Sequence, residues 1–271
     1  MSEEMINKVL AEVVKQMGGE GPAPSSAPAA PTAAPTPAAG SVPAVTEFVG
    51  TNALGDTIGL VIANVDSQLL KAMKPEKEYR SIGILGARTG AGPHIFAADE
   101  AVKATNSEIL TIELPRDTKG GAGHGSLIIF GAEDVSDARR AVEVSLGELD
   151  RTFGDVYGND AGHLEFQYTA RASYALNKAF GAPIGKAFGI TVGAPAGIGV
   201  VLADTAVKAA TVDVIGYASP AGGTSFSNEV ISFLSGDSGA VRQAIIAARE
   251  VGIPLLGALG ATPESTTTPY I

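Results

Sequence analysis

The chain has no cysteine and no tryptophan, and only 6% of it is aromatic. Without thiols there is no disulfide, no thiolate metal site and no cysteine nucleophile. Cations are also scarce: 19 Lys and Arg against 29 Asp and Glu leave a formal net charge of −10 and a pI near 4.8. Nucleic acid is held by clustered cations, so no nucleic-acid partner is expected. No run of about 18 apolar residues occurs, which argues against a membrane span. The N-terminus is polar and amphipathic rather than basic-then-apolar, so no secretory signal is expected and a cytoplasmic protein is the default. Histidine is limited to His94, His124 and His163. None has the spacing of a metal site, and neither cofactor nor catalytic triad emerges. His94, beside the repeated loop, and His124, in the long loop, read as exposed loop residues.

Small residues are what the chain has in quantity: 34 glycines, with 45% hydrophobic content and a mean hydropathy of +0.20. Two stretches built from them say nearly the same thing. Gly86-Ala87-Arg88-Thr89-Gly90-Ala91-Gly92 leads to Ala98-Asp99-Glu100-Ala101-Val102-Lys103-Ala104. About 105 positions later, Gly193-Ala194-Pro195-Ala196-Gly197-Ile198-Gly199 leads to Ala203-Asp204-Thr205-Ala206-Val207-Lys208-Ala209. Ile109-Leu110 answers to Val214-Ile215, Gly131 to Gly236, and Arg139 and Ala141 to Arg242 and Ala244. Echoes in the same order indicate a tandem pair of like domains.

Before the repeat, Met5 to Met17 places Met5, Ile6, Val9, Leu10, Val13, Val14 and Met17 on one face of a helix. The stretch from Glu20 to Val45 is rich in Pro, Ala, Ser and Thr and predicts an extended tether. The divisions expected are a docking segment over 1–18, a linker over 19–45, a first domain over 46–155 and a second over 156–271. Strands are predicted at Thr57–Asn64, Ser81–Leu85, Ser107–Leu114 and Gly125–Phe130. Helices follow Asp66, the first glycine loop and Asp134 or Ser136. Gly154 to Gly162 reads as the joint, after which the order repeats. The class is α+β, each half one sheet with helices on one face.

The glycine loops match no nucleotide-binding pattern, since neither G-x-x-x-x-G-K-[ST] nor G-x-G-x-x-G is present. Asp99 and Asp204 occupy the same place in both copies and read as structural residues near a helix start. What differs between the halves is a set of polar loops, 86–93 against 193–199 and 115–121 against 219–225. In a ring of copies, equivalent loops converge on an axis or an interface, which is how pores are lined.

Six segments carry a resemblance: GDTIGLVIANVD (55–66), YRSIGILGARTGAGPHIFAADEAVKATN (79–106), IELPRDTKGGAGHGSLII (112–129), ELDRTFGDVYGN (148–159), QYTARASYAL (167–176) and SGDSGAVRQAIIAAREVG (235–252). They resemble the tandem-domain (BMC-T) shell proteins of the propanediol- and glycerol-utilising bacterial microcompartment, over about Thr46 to Ile271. The resemblance implies two circularly permuted microcompartment (BMC) domains per chain. It also implies a homotrimer shaped as a pseudohexamer that tiles with other shell proteins around diol-dehydratase pathway enzymes. It further implies a channel within each subunit that passes glycerol or 1,2-propanediol. Arg88, Thr89, Gly90, Gly92 and His94, with Tyr168 and Arg171, are the residues expected on that channel. Arg116, Asp117, Lys119, Thr224 and Ser225 are expected on loops at the three-fold axis. The amphipathic N-terminal segment would fit an anchor to lumenal enzymes. No metal, cofactor or catalytic residue is implied, and some relatives' iron–sulfur variant is excluded by the lack of cysteine. The rival readings are a soluble ligand-sensing trimer and a small-diol enzyme.

Overall fold

Short apolar runs set the strands, and a left-handed residue, Lys74 or Gly181, ends each of the two short helices. A computed structural model describes residues 44–115, 124–221 and 228–271. The predicted N-terminal helix, nearly all of the linker, and the axial-loop residues Arg116, Asp117, Lys119, Thr224 and Ser225 lie outside the described residues.

The first half holds β1 (Phe48–Asn52), β2 (Thr57–Ile62), α1 (Ser67–Met73), β3 (Ser81–Ala87), α2 (Ala91–Ala104), β4 (Glu108–Glu113), β5 (Ser126–Ala132) and α3 (Val135–Thr152). Its sheet has the order β1-β2-β3-β5-β4, with every neighbouring pair antiparallel. The second half holds β6 (Val156–Asn159), β7 (Gly162–Thr169), α4 (Tyr174–Phe180), β8 (Ala187–Ala194), α5 (Ala196–Ala209), β9 (Asp213–Ala218), β10 (Val230–Gly236), α6 (Ser238–Gly257) and β11 (Glu264–Ser265). Its order is β11-β6-β7-β8-β10-β9, again antiparallel throughout.

Alternate residues of β3 serve opposite faces. Ile82 and Ile84 join Leu70, Met73 and Ile129 beneath α1. Gly83 faces the other way, where an added Cβ would lie 2.6 Å from the Ala138 carbonyl oxygen of α3. Gly189 does the same work in β8, leaving room for Val241 and Ile245 of α6. The two long helices of each half therefore share one face, as expected, and the short helix lies on the other. Both sheets carry the same irregularity: the register skips Leu110 opposite Phe130/Ile129, and Ile215 opposite Leu234/Phe233. That confirms Leu110 and Ile215 as equivalents. It also moves one of the echoes by a residue, because Gly131 pairs with Glu108 while it is Ser235, not Gly236, that pairs with Asp213.

The stretch expected to be a joint is partly strand, since β6 pairs with β7 over Val156–Asn159. Two Gly/Asn-rich ends flank a strand of only four residues there, which hides its alternation. The other departure is the connection into the repeated helix. Three residues, Arg88 to Gly90, join β3 to α2, whereas Pro195 alone joins β8 to α5. Gly90 caps its helix in a left-handed conformation, while its motif counterpart Gly197 lies inside the first turn of α5.

Asp66 starts α1 by accepting from the backbone N–H groups of Gln68 (2.8 Å) and Leu69 (3.3 Å). Asp66→Ala removes both acceptors and is expected to destabilise by about 1 kcal/mol. A fall of about 2–4 °C in Tm checks this; an unchanged melt would mean that α1 is held by packing alone.

Candidate functional site

The two halves meet along α2, which is buried between the first sheet and the second. Phe96 stacks on Phe188 of β8 with ring centroids 5.9 Å apart, and Ala175 and Leu176 of α4 join the same core. Asp99 fastens this seam. Its carboxylate is fully buried and accepts from the backbone N–H of Ser173 (3.0 Å) and Leu176 (3.1 Å), with Lys103 at 2.9 Å. Burial pushes the Asp99 carboxyl up, and Lys103 and the two amides pull against it. Its structural role is therefore at a helix start, but that of α4 rather than of its own helix.

At the N-terminal end of α2 the loop Arg88–Gly90 is tied down by Gly55, whose carbonyl accepts from Arg88 N (2.8 Å) and Thr89 N (3.2 Å). Arg88 is exposed and Thr89 half-buried. The other three residues expected on a channel wall in this region are not on any surface. His94 is fully buried; its Nδ1 donates to the Gly90 carbonyl, and its Nε2 lies 2.7 Å from the Thr57 hydroxyl. Burial holds its pKa down at about 4, so the ring is neutral. The expectation of an exposed loop histidine fails because His94 falls on the inward face of the first turn of α2. Gly90 is buried with φ +84°, and a side chain there would strike the Phe153 ring (2.2 Å from the added Cβ) rather than narrow a lumen. Gly92 is buried too, with an added Cβ 1.8 Å from Glu165 Oε1. In the single chain His94 presents no surface to a solute, and Gly90 and Gly92 offer only buried backbone.

Gly92 instead lines a small cavity of about 40 Å³ between the halves, together with His124, Glu165 and Glu229. This volume suits water rather than a metabolite. Glu229 stands between two imidazoles, His163 Nε2 at 3.2 Å and His124 Nε2 at 3.8 Å. His124 is buried as well, again against expectation. Glu165 is buried with Oε1 unbonded, and burial followed by the charge of Glu229 raises its pKa to about 8. Sequence reasoning missed this cluster. The signal available was His163-Leu164-Glu165-Phe166-Gln167, whose polar alternation reads as a solvent face but turns out to face the other half.

Tyr168 and Arg171 lie elsewhere, beside Glu100, Lys103 and Arg151 at the C-terminal end of α2, in an open cleft of about 510 Å³. A 14-residue helix separates them from Arg88 and Thr89, a distance of about 20 Å. The candidate residues therefore form two groups rather than one.

Among the described residues, the second half presents the same helix face without a cover. Counting from the shared A-D-x-A-V-K-A, Phe96 (2% exposed) corresponds to Val201 (42%), and Ile95 to the exposed Val200. Val207, Val214 and Tyr217 continue the exposed patch onto β9. The short helices match likewise: Leu176 of α4 is fully buried, and its counterpart Leu69 of α1 is 48% exposed. Among the described residues no group of three or more His, Asp or Glu could hold a metal ion, and no helix is long and apolar enough to cross a membrane.

A family model described as the BMC domain matches residues 81–159 and again 187–261. The bacterial microcompartment shell protein PduB of Citrobacter freundii is 64% identical over 271 residues, all of this chain and 99% of the relative. PduB of Limosilactobacillus reuteri is 55% identical over 231 residues, 85% of this chain and 97% of the relative. Among solved structures, a trimeric bacterial microcompartment shell protein PduB superposes with a TM-score of 0.81 at 56% identity, covering 84% of this chain and 100% of the other. EtuB from Clostridium kluyveri gives 0.81 at 57% identity over the same shares.

Proposed function

Because the chain belongs to the BMC-domain family of bacterial microcompartment shell proteins, we propose that it is a non-catalytic, trimeric wall tile whose subunits admit small polyols. The observation that carries the ring is the uncovered face of α5 and β9. In the first half the same face is filled by α4 of the second, with Leu176 at its centre. A second copy supplies the missing cover through α1, whose Leu69 is exposed at the matching position. Three chains related in this way close six lobes into a ring, a heterologous contact that ends on itself. The polar part of the seam changes between the two settings. Asp99 caps α4 within the chain, but α1 carries its own cap in Asp66, and Asp204 pairs with Lys208 at 2.6 Å instead.

For the polyol path, Arg88 and Thr89 are the wall residues retained, with glycerol or 1,2-propanediol as the solute whose hydroxyls would exchange hydrogen bonds there. Arg116, Asp117, Lys119, Thr224 and Ser225 are proposed for the axis, other shell proteins as edge partners, and diol-dehydratase pathway enzymes as cargo of segment 1–18. Light scattering of the purified protein is expected to give three times 27.3 kDa, about 82 kDa. Intact compartments carrying Thr89→Trp are expected to consume diol several-fold more slowly with assembly unchanged. A monomeric mass would refute the tile, and unchanged diol flux would refute the path while leaving the tile standing.

A further inference from the structure

The cleft at the C-terminal end of α2 contains positive charge that the chain's own anions do not neutralise. Its carboxylates are already engaged: Glu100 with Lys103 (2.9 Å) and Arg151 (3.9 Å), and Glu148 with Arg151 (2.6 Å). Lys103 also serves Asp99 at 2.9 Å. Two further guanidinium groups line the same cleft, Arg171 and Arg242, both exposed. Among the described residues neither has a side-chain acceptor. On a chain of net charge −10, two unclaimed arginines facing one cleft are a local reversal of sign. The Tyr168 hydroxyl borders them, 2.6 Å from Ser238 Oγ in the first turn of α6.

The internal repeat shows that this arrangement belongs to one seam only. Opposite Gly83, the residue corresponding to Tyr168 is Val61, and three positions on, where Arg171 follows Tyr168, the first half has Asn64. Arg139, the counterpart of Arg242, donates to the Thr46 carbonyl at 3.2 Å. The first half thus lacks one arginine and spends the other on its own backbone.

We propose that this cleft binds a small oxyanion, the phosphate or carboxylate group of a metabolite, held by Arg171 and Arg242 with the Tyr168 hydroxyl as a further donor. Guanidinium forks match both oxyanions with paired, charge-assisted hydrogen bonds. A cleft of about 510 Å³ is in the range of small-molecule sites. Among the described residues there is one such cleft, distinct from the polyol path at the other end of α2.

Calorimetric titration of the full-length assembled protein at low ionic strength, with inorganic phosphate and separately with succinate, tests this. One saturable event per chain is expected with at least one of the two, and the tighter probe identifies the phosphoryl or the carboxylate source. Arg171→Gln and Arg242→Gln are each expected to weaken it about 10-fold, and the double variant to abolish it. Arg139→Gln, at the corresponding place in the first half, is expected to leave it intact. Absence of saturable heat with both probes overturns the proposal, as does wild-type affinity in the double variant.

Discussion

Replacing Val201 with aspartate is expected to convert the trimer into monomers of 27.3 kDa at micromolar concentration. Val201 is 42% exposed in a single chain, so the lobe itself tolerates a charge there. Its counterpart Phe96 lies against Phe188 with 2% exposure, which is the burial that Val201 acquires when a second copy covers α5. A carboxylate introduced at that spot would be desolvated, and Lys208, on the same helix, is already paired with Asp204. Burying an unpaired charge costs about 3–5 kcal/mol, and each 1.4 kcal/mol is tenfold in the association constant. A closed ring repeats the cost at all three seams. Sedimentation or light scattering reads the outcome directly. A trimeric mass for the variant would mean that α5 faces solvent in the assembly, and the seam assigned by the internal repeat would be wrong.

How much of this was legible in the sequence depended on the range of the interaction involved. Helices and strands whose signals are local were readable: Asp66 before Ser67–Met73, Pro93 in the first turn of α2, the alternation of Ser81 to Leu85. The duplicated A-D-x-A-V-K-A gave the two lobes for the same reason. Partners distant in sequence were not readable. His94 reads as a loop residue in the sequence because Thr57, 37 positions earlier, is what holds it inside. Asp99 and Asp204 look alike in sequence, and only the fold shows that one caps α4 while the other lies exposed beside Lys208. The glycines of the repeated loops were misleading for a physical reason. Gly90 and Gly92 are small so that Phe153 and Glu165 can occupy the adjacent space, a packing constraint that leaves the same letter as a channel lining would. The C-terminal residues were silent as well: Tyr270 and Ile271 are fixed by their backbone N–H bonds to the buried Asp155, 2.9 and 3.1 Å long, across more than half of the described chain.

Stability is expected to fall as pH rises from about 6.5 to 8, and Glu165→Gln is expected to abolish that fall. In the folded chain the Glu165 carboxyl titrates at about 8 against 4.5 for the free group. The native state therefore keeps a proton that the unfolded chain has released, and stability from this group is complete below about 4.5 and lost as pH climbs through 8. At about 1.4 kcal/mol per pH interval of one, the whole window is worth about 5 kcal/mol. His94 acts with the opposite sign. Its native value of about 4 lies below 6.5, so the unfolded chain takes up a proton that the native state refuses, and stability falls as pH drops from 6.5 to 4, by about 3 kcal/mol. Between about 4.5 and 6.5 the two slopes oppose each other and leave a plateau. Above 6.5 only Glu165 remains of the pair, which is why its effect is isolated there at about 2 kcal/mol by pH 8. The neighbours that face it across the small cavity are Glu229 and His124, with His163 on the far side of Glu229. Removing the Glu165 charge also removes the repulsion from Glu229 that helps to raise it. Urea unfolding at pH 6.5, 7.25 and 8 measures the slope for both proteins. If the glutamine variant declines as steeply as the wild type, Glu165 is not the group that titrates between the lobes, and the buried seam carries its proton elsewhere.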